Sequence, residues 1–228
     1  MKAIIHLHSK YSFDCLTSPE KLVDMAIKNN IDILCITDHD TIQGSVHAQK
    51  YAQKRYGDAL QIIIGAEYKT DCGDIIGLNL KTEICLNKAE DVIDAIKQQG
   101  GLVLLPHPFV SHKNIEYLAQ QSDAIEIFNS RASSNANDAA VELAKSLKKP
   151  QYVSSDAHFL IDAELCINTF QVEKNTAFEA ALLQAERTFT MDFSSKKHYF
   201  RSQMIGGLKK RNMRMLLSVI KNWVFFKE

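Results

Sequence analysis

Short apolar runs alternate with longer stretches in which apolar residues recur every three or four positions. Residues 2–6, 31–37 (Ile-Asp-Ile-Leu-Cys-Ile-Thr), 60–65, 74–80, 102–105, 124–128, 151–154 and 166–172 have the length of strands, and many are rich in β-branched residues. Stretches 41–55, 89–99, 114–121, 135–148 and 175–185 carry a helical period. An earlier helix opens at Ser18-Pro19-Glu20, with a capping hydroxyl, a proline where no N–H is needed, and an acid at the positive end of the dipole. Leu22, Val23, Met25, Ala26 and Ile27 give it an apolar face, and Gly100-Gly101 ends the helix at 89–99. Strands alternating with helices predict an α/β fold with a parallel sheet, open or closed into a barrel. Either form places ligands at the carboxyl ends of its strands.

Charge divides the chain. The formal net charge is zero, but residues 196–228 hold nine Lys and Arg against one acid, a net of +8, which leaves −8 on residues 1–195. We therefore expect a cation-binding domain at 1–195 and a basic amphipathic tail at 196–228. The tail runs from Lys209-Lys210-Arg211 through Met213, Met215, Leu216, Leu217, Val219 and Ile220 to Trp223-Val224-Phe225-Phe226. Such a helix docks on its own domain, pairs with a second subunit, lies on an anionic membrane surface or contacts nucleic-acid backbone. Gly206-Gly207 is expected to loosen it. Cys15, Cys35, Cys72, Cys85 and Cys166 are odd in number, widely spaced and without a CxxC, so they read as reduced thiols of a cytoplasmic protein, peripheral to the membrane if the tail binds there. The apolar run at 2–6 is too short for a secretory signal, and no run approaches the roughly 18 apolar residues of a membrane span.

The chemistry sits where the apolar runs end. His6-Leu7-His8, Thr37-Asp38-His39-Asp40, Pro106-His107-Pro108 and Ser154-Ser155-Asp156-Ala157-His158 each lie at or just after a strand-like run. A single histidine there is usually a polar loop residue. Several histidines and carboxylates sent to one face suggest a shared polynuclear metal site, since imidazole and carboxylate are the usual ligands of Zn, Mn and Fe. Period two places both rings of His6 and His8 on one side of an extended chain, and Asp156 and His158 repeat that spacing. The prolines beside His107 fix the backbone and remove amide donors.

These motifs, with Gly65-Ala66-Glu67 between them in order, resemble the polymerase and histidinol phosphatase (PHP) superfamily of metal-dependent phosphoesterases over roughly two-thirds of the chain. The resemblance implies a distorted (β/α)7-type barrel, followed here by the basic helical tail, and two or three divalent ions at the strand ends. It implies His6, His8, Glu67 and Asp156 as ligands of a first ion. A second would be held by Glu67 and His107, with Asp74 where relatives carry histidine, and a third by Asp14, His39 and His158. Mn, Zn, Fe and Mg all suit this set, and the carboxylates Asp14 and Asp74 shift the preference toward harder ions. The implied reaction is hydrolysis of a phosphomonoester, nucleotide or nucleotide-like, by metal-activated water. Its rivals are a phosphodiesterase or exonuclease acting on short oligonucleotides, and a non-catalytic metal-binding scaffold. Arg131 is the candidate phosphate clamp, Asn129 is expected to face the site, and Asp38 or His158 is the candidate proton donor to the leaving oxygen. His47, His112 and His198 read as surface residues, with His112 on the rim. Several PHP phosphoesterases close over substrate with a helical insertion after the Glu67 position; only 39 residues separate Glu67 from His107, which predicts an open site.

Overall fold

The computed structural model describes residues 1–173 and 176–225, with side chains through residue 221. The apolar run 223–226 of the tail lies outside the described side chains. Strands β1 (Lys2–Leu7), β2 (Ile33–Ile36), β3 (Gln61–Thr70), β4 (Gly73–Leu78), β5 (Leu102–Leu105), β6 (Ala124–Asn129) and β7 (Gln151–Ser154) form one sheet in sequence order. The sheet curls until the chain beyond β7 meets β1: Leu7 bridges Ala157, and the His8 amide donates to the Ala157 carbonyl at 2.9 Å. Beside this closure β8 (Cys166–Phe170) pairs antiparallel with β1, and β9 (Arg187–Met191) forms the outer edge.

Alternation decides what lies inside. Ala3, Ile5, Ile33, Cys35, Ile63, Ile76, Leu104, Ala124 and Tyr152, contributed by all seven barrel strands, pack together. Phe170, together with Phe178, Ala181 and Leu182 of α6 (Phe178–Gln184), completes that cluster. The opposite face of β1 and β2 packs on α1 (Pro19–Lys28) and α2 (Gln43–Tyr56). The other half of the barrel is covered by α3 (Ala89–Gln98), α4 (Ile115–Gln121) and α5 (Ser134–Ser146).

The sheet is mixed rather than parallel throughout. Strand β3 runs to Thr70, five residues beyond its apolar core, and turns through Asp71-Cys72 directly into β4, pairing Glu67 with Ile76 and Lys69 with Asp74. Glu67 and Lys69 interrupt the apolar pattern and hide this hairpin in the sequence. A two-residue connection joins only antiparallel strands. The edge strand β9, half-exposed and alternating Thr with Phe and Met, also goes unread in the sequence.

A buried amide reinforces the closure. Asn168 on β8 accepts from the Val153 amide at 3.0 Å and donates to the Val153 carbonyl at 2.9 Å and the Ala3 carbonyl at 3.5 Å. It thereby joins β7 to β1 where no ladder runs between them. Asn168→Leu keeps most of the volume but leaves a backbone donor and acceptor unpaired at 1–3 kcal/mol each. It is expected to lower the unfolding free energy by about 3 kcal/mol, as read from urea midpoints at unchanged m.

The tail forms two helices, α7 (Lys196–Lys209) and α8 (Met213–Phe225). Gly206 and Gly207 do not loosen α7; they permit close approach. A Cβ on Gly206 would lie 3.2 Å from Asp14, and one on Gly207 would lie 2.6 Å from the Leu216 side chain of α8. No helix among the described residues is long and apolar enough to cross a membrane.

Candidate metal centre

Strands β1, β2, β5, β6 and β7 end at one mouth of the barrel, and the reversed β4 begins there. This brings together all nine ligand-type residues named from the sequence. The mechanism differs from simple alternation. His6 has φ of 65° at a register shift between Ile5 and Leu7, so β1 is bulged rather than evenly pleated where its histidines point inward. His107 (φ 26°) and Asp156 (φ 46°) are also left-handed. Such backbone costs on the order of 1–3 kcal/mol per residue and persists where the surroundings impose it. Here the His107 amide donates to Glu126 at 2.7 Å and the Asp156 amide donates to the His6 carbonyl at 3.2 Å.

Glu67 lies at the centre. Its oxygens approach His6 Nε2 and His8 Nε2 at 3.4 Å each, and His39 Nδ1 and His107 Nε2 at 3.1 Å each. Asp156 Oδ1 stands 3.1 Å from His8 Nε2 and 3.6 Å from His6 Nε2. Asp14 Oδ2 reaches His158 Nε2 at 2.9 Å and His39 Nε2 at 3.6 Å. Donor atoms within 4.8 Å of one another group as His6, His8 and Glu67; His6, His107 and Asp156; Glu67, Asp74 and His107; and His8, His39 and His158. Asp74 therefore stands within ligand distance of Glu67 and His107.

The hydrogen bonds of the cluster leave several lone pairs facing inward. Ser12 Oγ gives its proton to Asp38 at 2.8 Å, so it must accept from His8 Nδ1 at 3.0 Å. A neutral His8 then presents a bare Nε2 to two carboxylate oxygens. His6 Nδ1 faces Glu126 at 3.0 Å, and His6 Nε2 is buried without a hydrogen-bond partner, as are Asp14 Oδ1 and His107 Nδ1. Lone pairs converging on one another require either added protons or a cation between them. The set of imidazole and carboxylate donors fits divalent first-row metals. Cys15 is no ligand: its Sγ donates to the His8 and His158 carbonyls, and burial pushes its thiol up to about 11.

Two supporting residues were not legible in the sequence. Glu126, a buried carboxylate within β6, accepts from His6 Nδ1, the His107 amide and Asn129 Nδ2. A lone acid in an otherwise apolar strand was the available signal. Ser12 anchors His8 and also accepts from the His39 amide at 3.0 Å. Glu126→Gln exchanges one acceptor oxygen for a donor, and a roughly 10–100-fold loss of metal affinity is expected from such outer partners, measured by competition with a chelator.

The structure moves Asp38 out of its expected role as a proton donor. Its Oδ1 accepts from the Ser9 and Ser12 amides and Ser12 Oγ, and its Oδ2 accepts from Ser9 Oγ at 2.6 Å. Fully buried and fully engaged, it organises the loop after β1. Burial raises its pKa, against which these hydrogen bonds act.

Charge explains the titration pattern. Burial and the neighbouring His158 and His39 push His8 down to about 3, leaving a neutral imidazole. Burial opposes the charged forms of His6, His39 and His107, but the facing carboxylates outweigh it; all three are raised, His107 to about 9. Glu67, Asp14 and Asp156 are lowered in turn, burial notwithstanding, by their histidines and, for Asp156, chiefly by Arg131. Asp74 is raised by burial and by Glu67.

Arg131 reaches the centre. Its Nη1 lies 3.4 Å from Asp156 Oδ1 and in contact with the His158 ring, while Nη2 donates to Ser202 Oγ at 3.0 Å. Asn129 Nδ2 bonds Glu126 at 2.9 Å and approaches Asp156 Oδ2 at 3.4 Å. Helix α7 covers this flank, so the site is less open than its short β3–β5 connection predicts; His39, Asp156 and His107 side chains are 18 %, 13 % and 10 % exposed. The remaining histidines are paired at the surface: His47 with Glu20 and Tyr11, His198 with Asp162, and His112 with the Asp74 carbonyl beside the His107 ring.

Comparison with known proteins places this geometry. An uncharacterized protein of Methanocaldococcus jannaschii is 38 % identical over 120 residues, covering 48 % of this chain and 68 % of its own. The 5'-3' exoribonuclease Rnm of Escherichia coli is 39 % identical over 80 residues, 33 % of this chain and 27 % of that enzyme. Among solved structures, a two-domain protein of Bacteroides vulgatus containing a predicted PHP-like metal-dependent phosphoesterase superposes with a TM-score of 0.69 at 18 % identity, covering 84 % of this chain and 65 % of that one. The chain thus spans about two-thirds of the archaeal and the Bacteroides proteins and about a quarter of the exoribonuclease. The family model of the PHP domain matches residues 5–165, from β1 to just before β8, and so takes in every ligand-type residue of the centre. The chain belongs to the PHP domain family.

Proposed function

We propose that the protein hydrolyses phosphomonoesters, with nucleotides or nucleotide-like phosphates as its substrates. The observation that carries this reading is Glu67, a buried carboxylate facing four histidines, with the Arg131 guanidinium at the edge of the same cluster. His6, His8, Glu67 and Asp156 would hold one ion, Glu67, Asp74 and His107 a second, and Asp14, His39 and His158 a third. Bound ions supply a water acidic enough to be a nucleophile at neutral pH and positive charge for the phosphoryl oxygens. The chain's own contributions are positional. Glu126 and Ser12 fix the tautomers of His6 and His8. Arg131, braced by Asp156 and Ser202, presents a planar cation for phosphoryl oxygens. His158 faces Asp14 and serves as a ligand rather than as the acid.

The likeness to the exoribonuclease favours a second reading, cleavage of terminal diesters in short oligonucleotides. The two separate in one experiment. Purified protein is analysed for metal and then assayed with added Mn²⁺ on p-nitrophenyl phosphate, bis-p-nitrophenyl phosphate, a nucleotide panel and a 5'-phosphorylated oligonucleotide. Turnover of monoesters that a chelator abolishes is the expected result. Turnover of diesters alone selects the second reading. Absence of bound metal, with no turnover under any divalent ion, overturns both and leaves a non-catalytic scaffold.

A further inference from the structure

Helix α7 presents a stripe to the metal centre that is neither apolar nor part of the family match, which ends at residue 165. Residues 195, 199, 202, 206 and 209 recur every three to four positions and so share one face. Four of them touch the centre's supports. The Arg131 guanidinium lies 5.1 Å over the Tyr199 ring and donates to Ser202 Oγ at 3.0 Å. Gly206 sits where a Cβ would be 3.2 Å from Asp14 Cβ and from the Phe13 ring, and that ring stacks on His39 with centroids 4.8 Å apart. Lys209 Nζ donates to three carbonyls, Lys10 at 3.0 Å, Ser12 at 2.8 Å and Cys15 at 2.7 Å. Those carbonyls bracket Asp14.

One ammonium holding three carbonyls of a single short loop acts as a clamp on that loop. Each member of the Asp14, His39 and His158 group thus has an α7 support: Asp14 through Gly206 and Lys209, His39 through Phe13, and His158 through Arg131. The centre's other candidate ligands, His6, His8, Glu67, Asp74, His107 and Asp156, are carried by the barrel strands and their ends; of these Asp156 meets a residue that α7 braces, Arg131.

We propose that Lys209 and Gly206 are positioning residues that set the cation affinity of the Asp14, His39 and His158 position, making this end of α7 a wall of that one position and not of the whole centre. This inference rests on the metal-centre reading above. Lys209 supplies the loop's bonding partner, and Gly206 the clearance that lets the helix reach it.

The test is Mn²⁺ titration of chelator-stripped full-length protein by calorimetry, with bound Mn²⁺ counted by electron paramagnetic resonance. Lys209→Met is expected to weaken one Mn²⁺ step roughly tenfold or more, the scale of outer-partner losses, while the other steps stay within twofold. Lys209→Arg, which keeps donors for the carbonyls, is expected to restore most of that step. Gly206→Val should act in the same direction without touching charge, and Arg201→Met, off the stripe on the same helix, should titrate as wild type. Lys209→Met and Gly206→Val proteins that both titrate as wild type overturn the proposal and leave the centre intact. Loss of all steps together in folded Lys209→Met also overturns it, because α7 would then support the whole centre. Failure of wild-type protein to take up any Mn²⁺ overturns the metal-centre reading and this inference with it.

Discussion

Glu67→Gln is expected to lower turnover on the order of a thousandfold, a loss of several kcal/mol of transition-state stabilisation. The substitution keeps shape and volume, so the barrel wall is undisturbed; what disappears is the negative charge that four histidines face. An amide also places N–H hydrogens where bare donors converge, which repels a cation. The effect should therefore appear as lost metal before it appears as lost chemistry. Elemental analysis alongside kcat on p-nitrophenyl phosphate checks this. A variant with a full metal complement and activity within tenfold of wild type would remove Glu67 from the centre of the site.

The second large effect is on stability, and it reverses with metal. In chelator-stripped protein the carboxylates hold protons on His6, His39 and His107. A group raised on folding contributes stability that is complete below its unfolded pKa and lost as pH rises through its folded one. For His107 that interval runs from the ordinary value of 6.5 to about 9. The loss across it is on the order of 3 kcal/mol for this one ring, and His6 and His39 add in the same direction. Glu67, Asp14 and Asp156, lowered by the same pairings, lose their share only as pH falls below the ordinary carboxylate range. His8, pushed down to about 3, acts the other way and costs stability as pH falls below its ordinary 6.5, so stripped protein should be most stable near pH 6–7 and weaken markedly by pH 9. Metal binding displaces these protons and strengthens with pH, so Mn²⁺-loaded protein should not show the alkaline decline. Thermal unfolding from pH 5 to 9.5, with chelator and with Mn²⁺, measures both curves. A flat curve for stripped protein would mean that the histidines and carboxylates do not pair as the structure has them.

How much of this was legible in the sequence varied with the physics involved. His6, His8, His39, His107, Asp156 and His158 stood out because they end apolar runs, and buried strands send their ends to one face. Asp14, Glu67 and Asp74 came only through family resemblance, since a carboxylate in a strand or loop has many ordinary explanations. Asp38 shows the limit of spacing: Asp-His-Asp does not reveal which acid turns inward, and the serines that bind it lie 26 to 29 residues earlier. Glu126 escaped because an outer partner depends on where its strand faces, not on its spacing. The α7 stripe escaped for a different reason. Its contact face is Ser, Tyr, Ser, Gly and Lys, so hydrophobic periodicity had nothing to register, and Gly206 read as a weakness instead of a clearance.

The barrel's closure also bears on how the molecule folds in time. The Asn168 bond to Ala3 joins residues 165 apart in sequence. Until the chain beyond β7 arrives, one edge of β1 is open, and the bulged backbone that aims His6 lacks the Asp156 amide its carbonyl accepts from. Long-range closure of this kind is slow because chain entropy must be lost before the contact repays it. The metal position therefore forms late, after most of the sheet, and the apolar first strand is the segment most exposed to pairing with other chains in the interval.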